Sequence, residues 1–433
     1  LRRERGACAI SPVDEIGRRA QIQTSYLADS APESRREAEK NASTASFRRF
    51  SIMRTFGGWK LHSGLVVALL ASACAGSGVL PTASPGAGSK PAAPAPVVAL
   101  PIGVAARATS ERQIAKSDAY QQALARAYTA NKGVTEGKNA DYIPALAKVD
   151  SKLFGIALAT VEGAVYEVGS ARDEFSIQSI SKIFTLARTV ELLGPEAVEK
   201  RIGVNATGMP FNSIIAIEMN KKTTPAMNPL VNPGAIATVD ALPASDANSK
   251  WTLIAGTYNA FAGRTLNLNQ EVYKSESETN TRNRAITNLL QAYEVVKGDA
   301  SEVLDLYTRQ CSVNVNARDL AIMGATLANG GKNPVTRQQV VQPTTVEHVL
   351  AVMATAGLYE TTGQWMYEVR VPAKSGVGGG IVAVVPGKFA IGTFAPPLDE
   401  AGNSVKGQRA IKAIVEDLGG SVFASRPAGA SAP

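Results

Sequence analysis

Two stretches of alternating apolar residues, far apart in the chain, most constrain what it can fold into. "FGIALATVEGAVYEVGS" (154–170) alternates on both sides of Glu162-Gly163 and reads as a hairpin. "GGGIVAVVPGKFAIGTFAP" (378–396) returns to strands and turns at Pro386-Gly387. Strands need partners, and the residues between, 195–370, are mostly helical patches broken by polar loops. One sheet built from N- and C-terminal segments, with helices inserted between them, satisfies that order, so the expected class is α+β. Ser110 and Gln113 stand in capping-box spacing and predict a helix that closes near Gly133. A last helix is expected over about Val405–Leu418.

The N-terminal quarter reads differently. "MRTFGGWKLHSGLVVALLASAC" runs from Met53 to Cys74, with Arg54 and Lys60 before the short apolar run "LVVALLASA". This is the layout of a secretory signal peptide over residues 53–73. The run is shorter than the roughly 18–20 apolar residues that a spanning helix needs. "LASAC" has the form of a lipobox, which marks Cys74 as a lipidated first residue. Residues 1–52 are polar and aperiodic, and are read as an untranslated or disordered leader with translation starting at Met53. Residues 75–105 are dominated by Pro, Ala, Gly and Ser and read as a linker. The catalytic domain is expected over 106–425 and a disordered tail over 426–433. The expected location is the cell envelope, as a membrane-anchored lipoprotein or in the periplasm, with the cytoplasm as the alternative.

Charge and rare residues exclude several classes. The net charge is +8, but residues 1–73 hold 12 of the basic and 7 of the acidic residues, so most of the excess lies outside the folded part. No basic stripe points to nucleic acid. Beyond Cys74 the only cysteine is Cys311, and beyond His62 the only histidine is His348. A disulfide framework and a cysteine-rich metal site are therefore excluded there, and no metal or cofactor is expected. Histidine-based triads and Cys-His amidases would rest on His348 alone, which lies in the polar stretch "TTVEHV" and reads as solvated.

A lysine base needs no histidine. In "FSIQSISKIFTLARTVELLG" (175–194), Ser179 and Lys182 stand three apart at the head of an apolar helix that stops at Gly194-Pro195. That spacing puts them on one helix face. A buried lysine sheds its charge readily and can then take a serine's proton. Free backbone N–H groups at a helix start can hold an oxyanion. "PAKSGVGGG" (372–380) adds a Lys-Ser-Gly and a run of glycines, close to the second motif of penicillin-recognising serine enzymes. Its glycines let backbone approach a ligand.

"GKNADYIPALAKVD" (137–150), "FSIQSISKIFTLA" (175–187), "GVNATGMPFNSI" (203–214), "NPLVNPGAIA" (228–237), "SESETNTRNRAI" (275–286), "MATAGLYETTGQW" (353–365) and "PAKSGVGGGIVAVVP" (372–386) follow in order. Together they closely resemble the serine-dependent bacterial glutaminases, over about residues 110–423. The resemblance implies a β-lactamase/transpeptidase-like fold and hydrolysis of L-glutamine to L-glutamate and ammonia through an acyl-serine. It implies Ser179 as nucleophile, Lys182 as its activating base, and Tyr307 and Tyr359 as the active-site tyrosines. It implies Tyr142 and Gln178 in the pocket, with Asn232, Glu276 and Asn283 on the amino and carboxylate ends of the substrate. Val377 is implied to complete the oxyanion hole with its backbone N–H. The residue types suit this chemistry, since a carboxylate meets an ammonium, neutral donors hold a carboxylate, and a phenol can pass a proton to departing ammonia.

The chain departs from the family pattern at Pro233, where alanine is usual. A proline beside Asn232 removes a backbone N–H and puts the local geometry in question. Partners beyond L-glutamine are expected only as further copies, a homodimer or homotetramer, and a membrane only through the lipid anchor. Two other readings stand beside glutaminase. One is a β-lactam-reactive serine enzyme, disfavoured because no Ser-Asp-Asn element is found. The other is a lipid-anchored amino-acid-binding protein without turnover.

Overall fold

The computed structural model describes residues 102–424. The expected leader, signal peptide, lipidation site at Cys74 and linker up to residue 101, and the tail over 426–433, lie outside the described residues, and residues 102–105, expected as the linker's end, are helical. The first described helix runs Ile102–Asn131, so it begins earlier than the capping-box spacing predicts and Ser110 lies inside it. The stretch before Ser110 holds Ala105, Ala106, Arg107 and Ala108, good helix formers that carry the helix past the cap position.

Seven strands follow: β1 (Gly155–Thr160), β2 (Val165–Gly169), β3 (Phe175–Ser176), β4 (Asn314–Val315), β5 (Ala373–Gly376), β6 (Gly380–Val385) and β7 (Phe389–Phe394). Five of them form one sheet in the order β2-β1-β7-β6-β5. Every pairing is antiparallel, and β1 joins the two hairpins with Leu158 opposite Ile391. The expected sheet from both ends of the domain is therefore present.

Both faces of this sheet are buried along β1, β5, β6 and β7, with the edge strand β2 only half-buried, and the alternation of side chains assigns each face its helices. Ile156, Leu158, Ile381, Ala383 and Ile391 pack with Leu124 of the first helix and Ile411 and Ile414 of the last, Val405–Asp417. Ala157, Ala159, Val382, Val384 and Ala390 face the other way, into the larger core of the helical insertion. There the helix Ala317–Ala328, begun by a capping box of Asn316 and Asp319, lies directly on the sheet. The approach is close enough to require Gly392: a Cβ there would lie 2.2 Å from the Ala317 carbonyl oxygen.

The small sheet of β3 and β4 has a positional role. It pairs Phe175 with Val315 immediately before the Ser179 turn and shortly after the helix Ala300–Cys311. Two residues are too short to leave a periodic signal, so the sequence did not announce it. Ser179 itself sits in a 3₁₀ turn, Gln178–Ile180, which leads into the helix Ser181–Leu193. Ile183, Phe184, Leu186, Ala187 and Val190 bury that helix among its neighbours, and Gly194 ends it where Pro195 starts the next. No described helix is long and apolar enough to cross a membrane.

Candidate active site

The turn that carries Ser179 is fixed from three sides. The Ile177 N–H donates to the Val313 carbonyl at 2.8 Å, the Ser181 hydroxyl donates to the Gln178 carbonyl at 2.6 Å, and β5 runs past it. Gln178 is held at φ 48°, a region costly for a residue with a Cβ. A Cβ on Gly376 would sit 3.3 Å from the Ser179 backbone nitrogen and 2.8 Å from the Ile177 carbonyl oxygen. Any larger residue there would press into the space at the Ser179 N–H. Val377, next in the chain, is buried and shares a cavity wall with Ser179.

Lys182 follows one turn after Ser179 and is only 1% exposed. Its ammonium donates to Asn232 Oδ1 at 2.7 Å and to the Leu230 carbonyl at 3.5 Å. Burial pulls its pKa down to about 8, while Cys311 and Glu276 work in the opposite direction. The Asn232 amide passes the chain on, donating to Asn283 Oδ1 at 2.8 Å. Asn232 is the first residue of the helix Asn232–Ala241, and Pro233 lies in that helix's first turn. A proline costs no hydrogen bond there, because first-turn N–H groups have no partner within the helix. The departure at Pro233 is thus absorbed.

Glu276, on the helix Gln270–Thr279, is buried and accepts from Gln178 Nε2 at 3.2 Å. Burial raises its pKa to about 7 against the pull of Gln178 and Lys182. Two buried phenols complete the interior. Burial raises the Tyr307 hydroxyl well above its usual range. Tyr359 is held at φ 56°, and burial pushes its phenol up to about 12, although Ser179 and the Ser375 carbonyl, which accepts from the phenol at 3.4 Å, pull the other way. Tyr142 stands at the rim, 54% exposed.

A cavity of about 90 Å³ therefore gathers Tyr142, Gln178, Ser179, Asn232, Glu276, Asn283, Tyr307 and Val377 in one wall. Lys182 and Tyr359 are not in that lining, but each touches a group in or beside it. Phe211 and Arg282 also line the cavity, although neither has a distinctive sequence signal. Cys311 is buried, and His348 is exposed as its polar setting suggested. Among the described residues no cluster of His, Cys, Asp or Glu suits a metal.

A family model described as Glutaminase matches residues 137–423. The chain belongs to the glutaminase family. It is similar to the glutaminase of Colwellia psychrerythraea, 53% identical over 70% of this chain and 97% of that one. Among solved structures it resembles the probable glutaminase ybaS, with a TM-score of 0.70 at 46% identity over 71% of this chain and 99% of that one. It also resembles a probable glutaminase from Bacillus subtilis complexed with 6-diazo-5-oxo-L-norleucine, with a TM-score of 0.61 at 29% identity, covering 71% and 94% of the two chains. The fold is the β-lactamase-like one that the sequence implied.

One buried group beside the cavity was not singled out in the sequence. Lys374, in the Lys-Ser-Gly of β5, is fully buried. Its Nζ lies 4.1 Å from the centre of the Tyr359 ring and donates to the Ser375 carbonyl at 2.7 Å. The signal was the Lys-Ser-Gly motif, noted in the sequence without a role for its lysine.

Proposed function

We propose that the chain hydrolyses L-glutamine to L-glutamate and ammonia through an acyl-enzyme on Ser179. The observation that carries this reading is the set of groups that one small cavity brings together around Ser179. Ser179 and Val377 lie in the same small wall as a buried carboxylate, Glu276, and the amide of Asn283. Glutamine has the matching ends, an amide and a zwitterionic head. Lys182, with a pKa near 8, accepts the Ser179 proton as the hydroxyl attacks the amide carbon. The Ser179 and Val377 N–H groups face the developing oxyanion, a stabilisation of roughly 3–4 kcal/mol per donor in comparable sites. Tyr359 delivers a proton to the departing nitrogen, and Glu276 holds the substrate ammonium. Water then cleaves the ester and restores Ser179. The ligand named in the Bacillus subtilis complex is a glutamine-shaped diazoketone, which supports glutamine as the substrate class.

The test is Ser179→Ala. Turnover of glutamine is expected to vanish while the thermal transition moves little, since loss of a small hydroxyl at a helix start costs ~1 kcal/mol. The wild-type protein should gain the mass of a diazoketone glutamine analogue and the variant should not. Labelling at Ser181 or Cys311 instead would refute the assignment.

We also propose a lipid anchor at Cys74, which would hold this chemistry outside the cytoplasm on a Pro/Ala-rich tether. Cys74→Ser should move the protein from the membrane to the soluble fraction without changing its specific activity. A native protein whose intact mass begins upstream of Met53 and carries no lipid would sink this placement.

A further inference from the structure

The cavity that holds Ser179 has a larger neighbour of about 580 Å³, and Tyr142, Phe211 and Val377 stand in the wall of both. Its far side is made by residues 136–141 and by the loop that follows β7. The two segments are joined where Lys138 and Leu398 exchange backbone hydrogen bonds of 3.0 and 2.8 Å. The loop is a built turn: the Asp399 carboxylate accepts from the Asn403 N–H at 2.9 Å and from Gln408 Nε2 at 2.8 Å.

The position of this turn fixes which end of the substrate it meets. A Cβ on Gly402 would lie 3.5 Å from Val377, 3.7 Å from Tyr359 and 3.9 Å from Phe211. Gly402 itself has φ 93°, which only glycine takes readily. Val377 and Tyr359 flank the amide in the reading above. Asn232, Glu276 and Asn283, at the amino-acid head, line only the smaller cavity. The larger space therefore opens beyond the scissile nitrogen, where plain glutamine has no atoms to put.

Its charge selects among occupants. Four carboxylates (Glu136, Asp141, Asp399 and Glu400) line it against one ammonium, Lys138. Glu136 is paired with Arg409, and Asp399 is used by the turn. Among the described residues no cation pairs with Asp141 or Glu400. The field at the mouth is negative and suits a cation.

We propose that this cavity is a leaving-group subsite, and that the enzyme also hydrolyses glutamine derivatives with a small amine-bearing substituent on the side-chain amide nitrogen. The proposal rests on the acyl-serine reading. The Ser179 oxygen attacks the side-chain carbonyl, the C–N bond breaks, and the substituted amine leaves through the larger cavity with the proton that ammonia would have taken. Water then hydrolyses the same glutamyl ester, so each turnover consumes one water and yields glutamate and one amine.

The experiment measures glutamate release by the full-length enzyme from glutamine and from its N-(2-aminoethyl), N-ethyl and N-carboxymethyl side-chain amides. The aminoethyl compound should be cleaved about fivefold faster, in kcat/KM, than the carboxymethyl one, the scale of an exposed charge pair. Ala401→Trp fills the cavity from a loop position outside the glutamine site. It should slow the substituted substrates about tenfold or more while glutamine stays within about twofold, because a built clash acts only on the ligand that reaches it. Glu400→Lys should erase the charge preference, and serves if the tryptophan variant does not fold. An enzyme that hydrolyses glutamine but none of the amides overturns the subsite, as does equal slowing of all substrates by Ala401→Trp. Failure to hydrolyse glutamine itself would strike the acyl-serine reading instead.

Discussion

Lys182 and Lys374 lie close to one another beside the Ser179 turn, one on a helix head and one on a strand, and both are buried. Burial lowers the pKa of each, but their company differs. Lys182 has two oxygen acceptors, and Cys311 and then the Glu276 carboxylate oppose its burial, so that its pKa stops near 8. Lys374 has a carbonyl and the Tyr359 ring, with Lys182 repelling it, and its pKa falls well below the usual range. A ring face does attract a cation, but it does not replace lost hydration with a second ammonium close by. The difference teaches that burial alone does not make a base that switches near neutral pH. A counter-charge must hold the group within reach of protonation.

The largest expected effect tests this directly. Lys182→Met should lower kcat by about 10²–10⁴-fold, the range of general base catalysis, whereas Lys374→Met should cost no more than about tenfold. Lys182→Arg should be as inactive as the methionine variant, because a guanidinium does not give up its proton. Below its pKa Lys182 is protonated and cannot accept a proton, so wild-type kcat should fall as the pH drops through about 8. Lys374→Met should keep that acid limb in place. Equal losses at the two lysines, or a limb that vanishes with Lys374, would break the comparison.

Glu276 sharpens it at the next magnitude. As the partner of the substrate ammonium, it should lose about 1.5–3 kcal/mol of binding on Glu276→Gln, the scale of a hydrogen bond to a charged group. KM should rise roughly 10- to 150-fold with kcat less affected. With a pKa near 7, wild-type Glu276 takes up a proton as the pH falls and can no longer offset the ammonium. Wild-type KM should therefore climb below about pH 7, and the glutamine variant should lose that dependence. A deaminated glutamine should be nearly indifferent to the substitution, and an equal loss for both ligands would make Glu276 a structural residue.

The scaffold was legible where side chains repeat with a period. The hairpins at Glu162-Gly163 and Pro386-Gly387 and the Ser179 helix with its Gly194 stop all stand where the pattern put them. The positions of Ser179, Glu276 and Asn283 in one wall were legible only through the ordered family blocks, because that wall joins segments about a hundred residues apart. What stayed hidden was set by non-local packing. Lys374 is buried because β5 lies against the Ser179 turn, a contact across nearly two hundred residues of chain. The left-handed backbones of Gln178 and Tyr359 are imposed by their surroundings, since neither residue type favours them.

The smallest expected effect concerns the support that Lys182 has and Lys374 lacks. Asn232 holds the Lys182 ammonium from the first residue of a helix, and Pro233 follows it. Proline's fixed φ suits a helix's first turn, and its missing N–H would have no partner within the helix. Pro233→Ala should therefore leave kcat/KM for glutamine within about twofold. It should lower stability by only about 0.4–1 kcal/mol, chiefly because the unfolded chain gains freedom. The acid limb near pH 8 should stay where it is, because the Asn232 acceptor does not move. If Pro233→Ala instead shifted that limb or raised activity several-fold, the proline would be displacing Asn232. The tuning of Lys182 would then depend on the backbone beside its acceptor as well as on the acceptor itself.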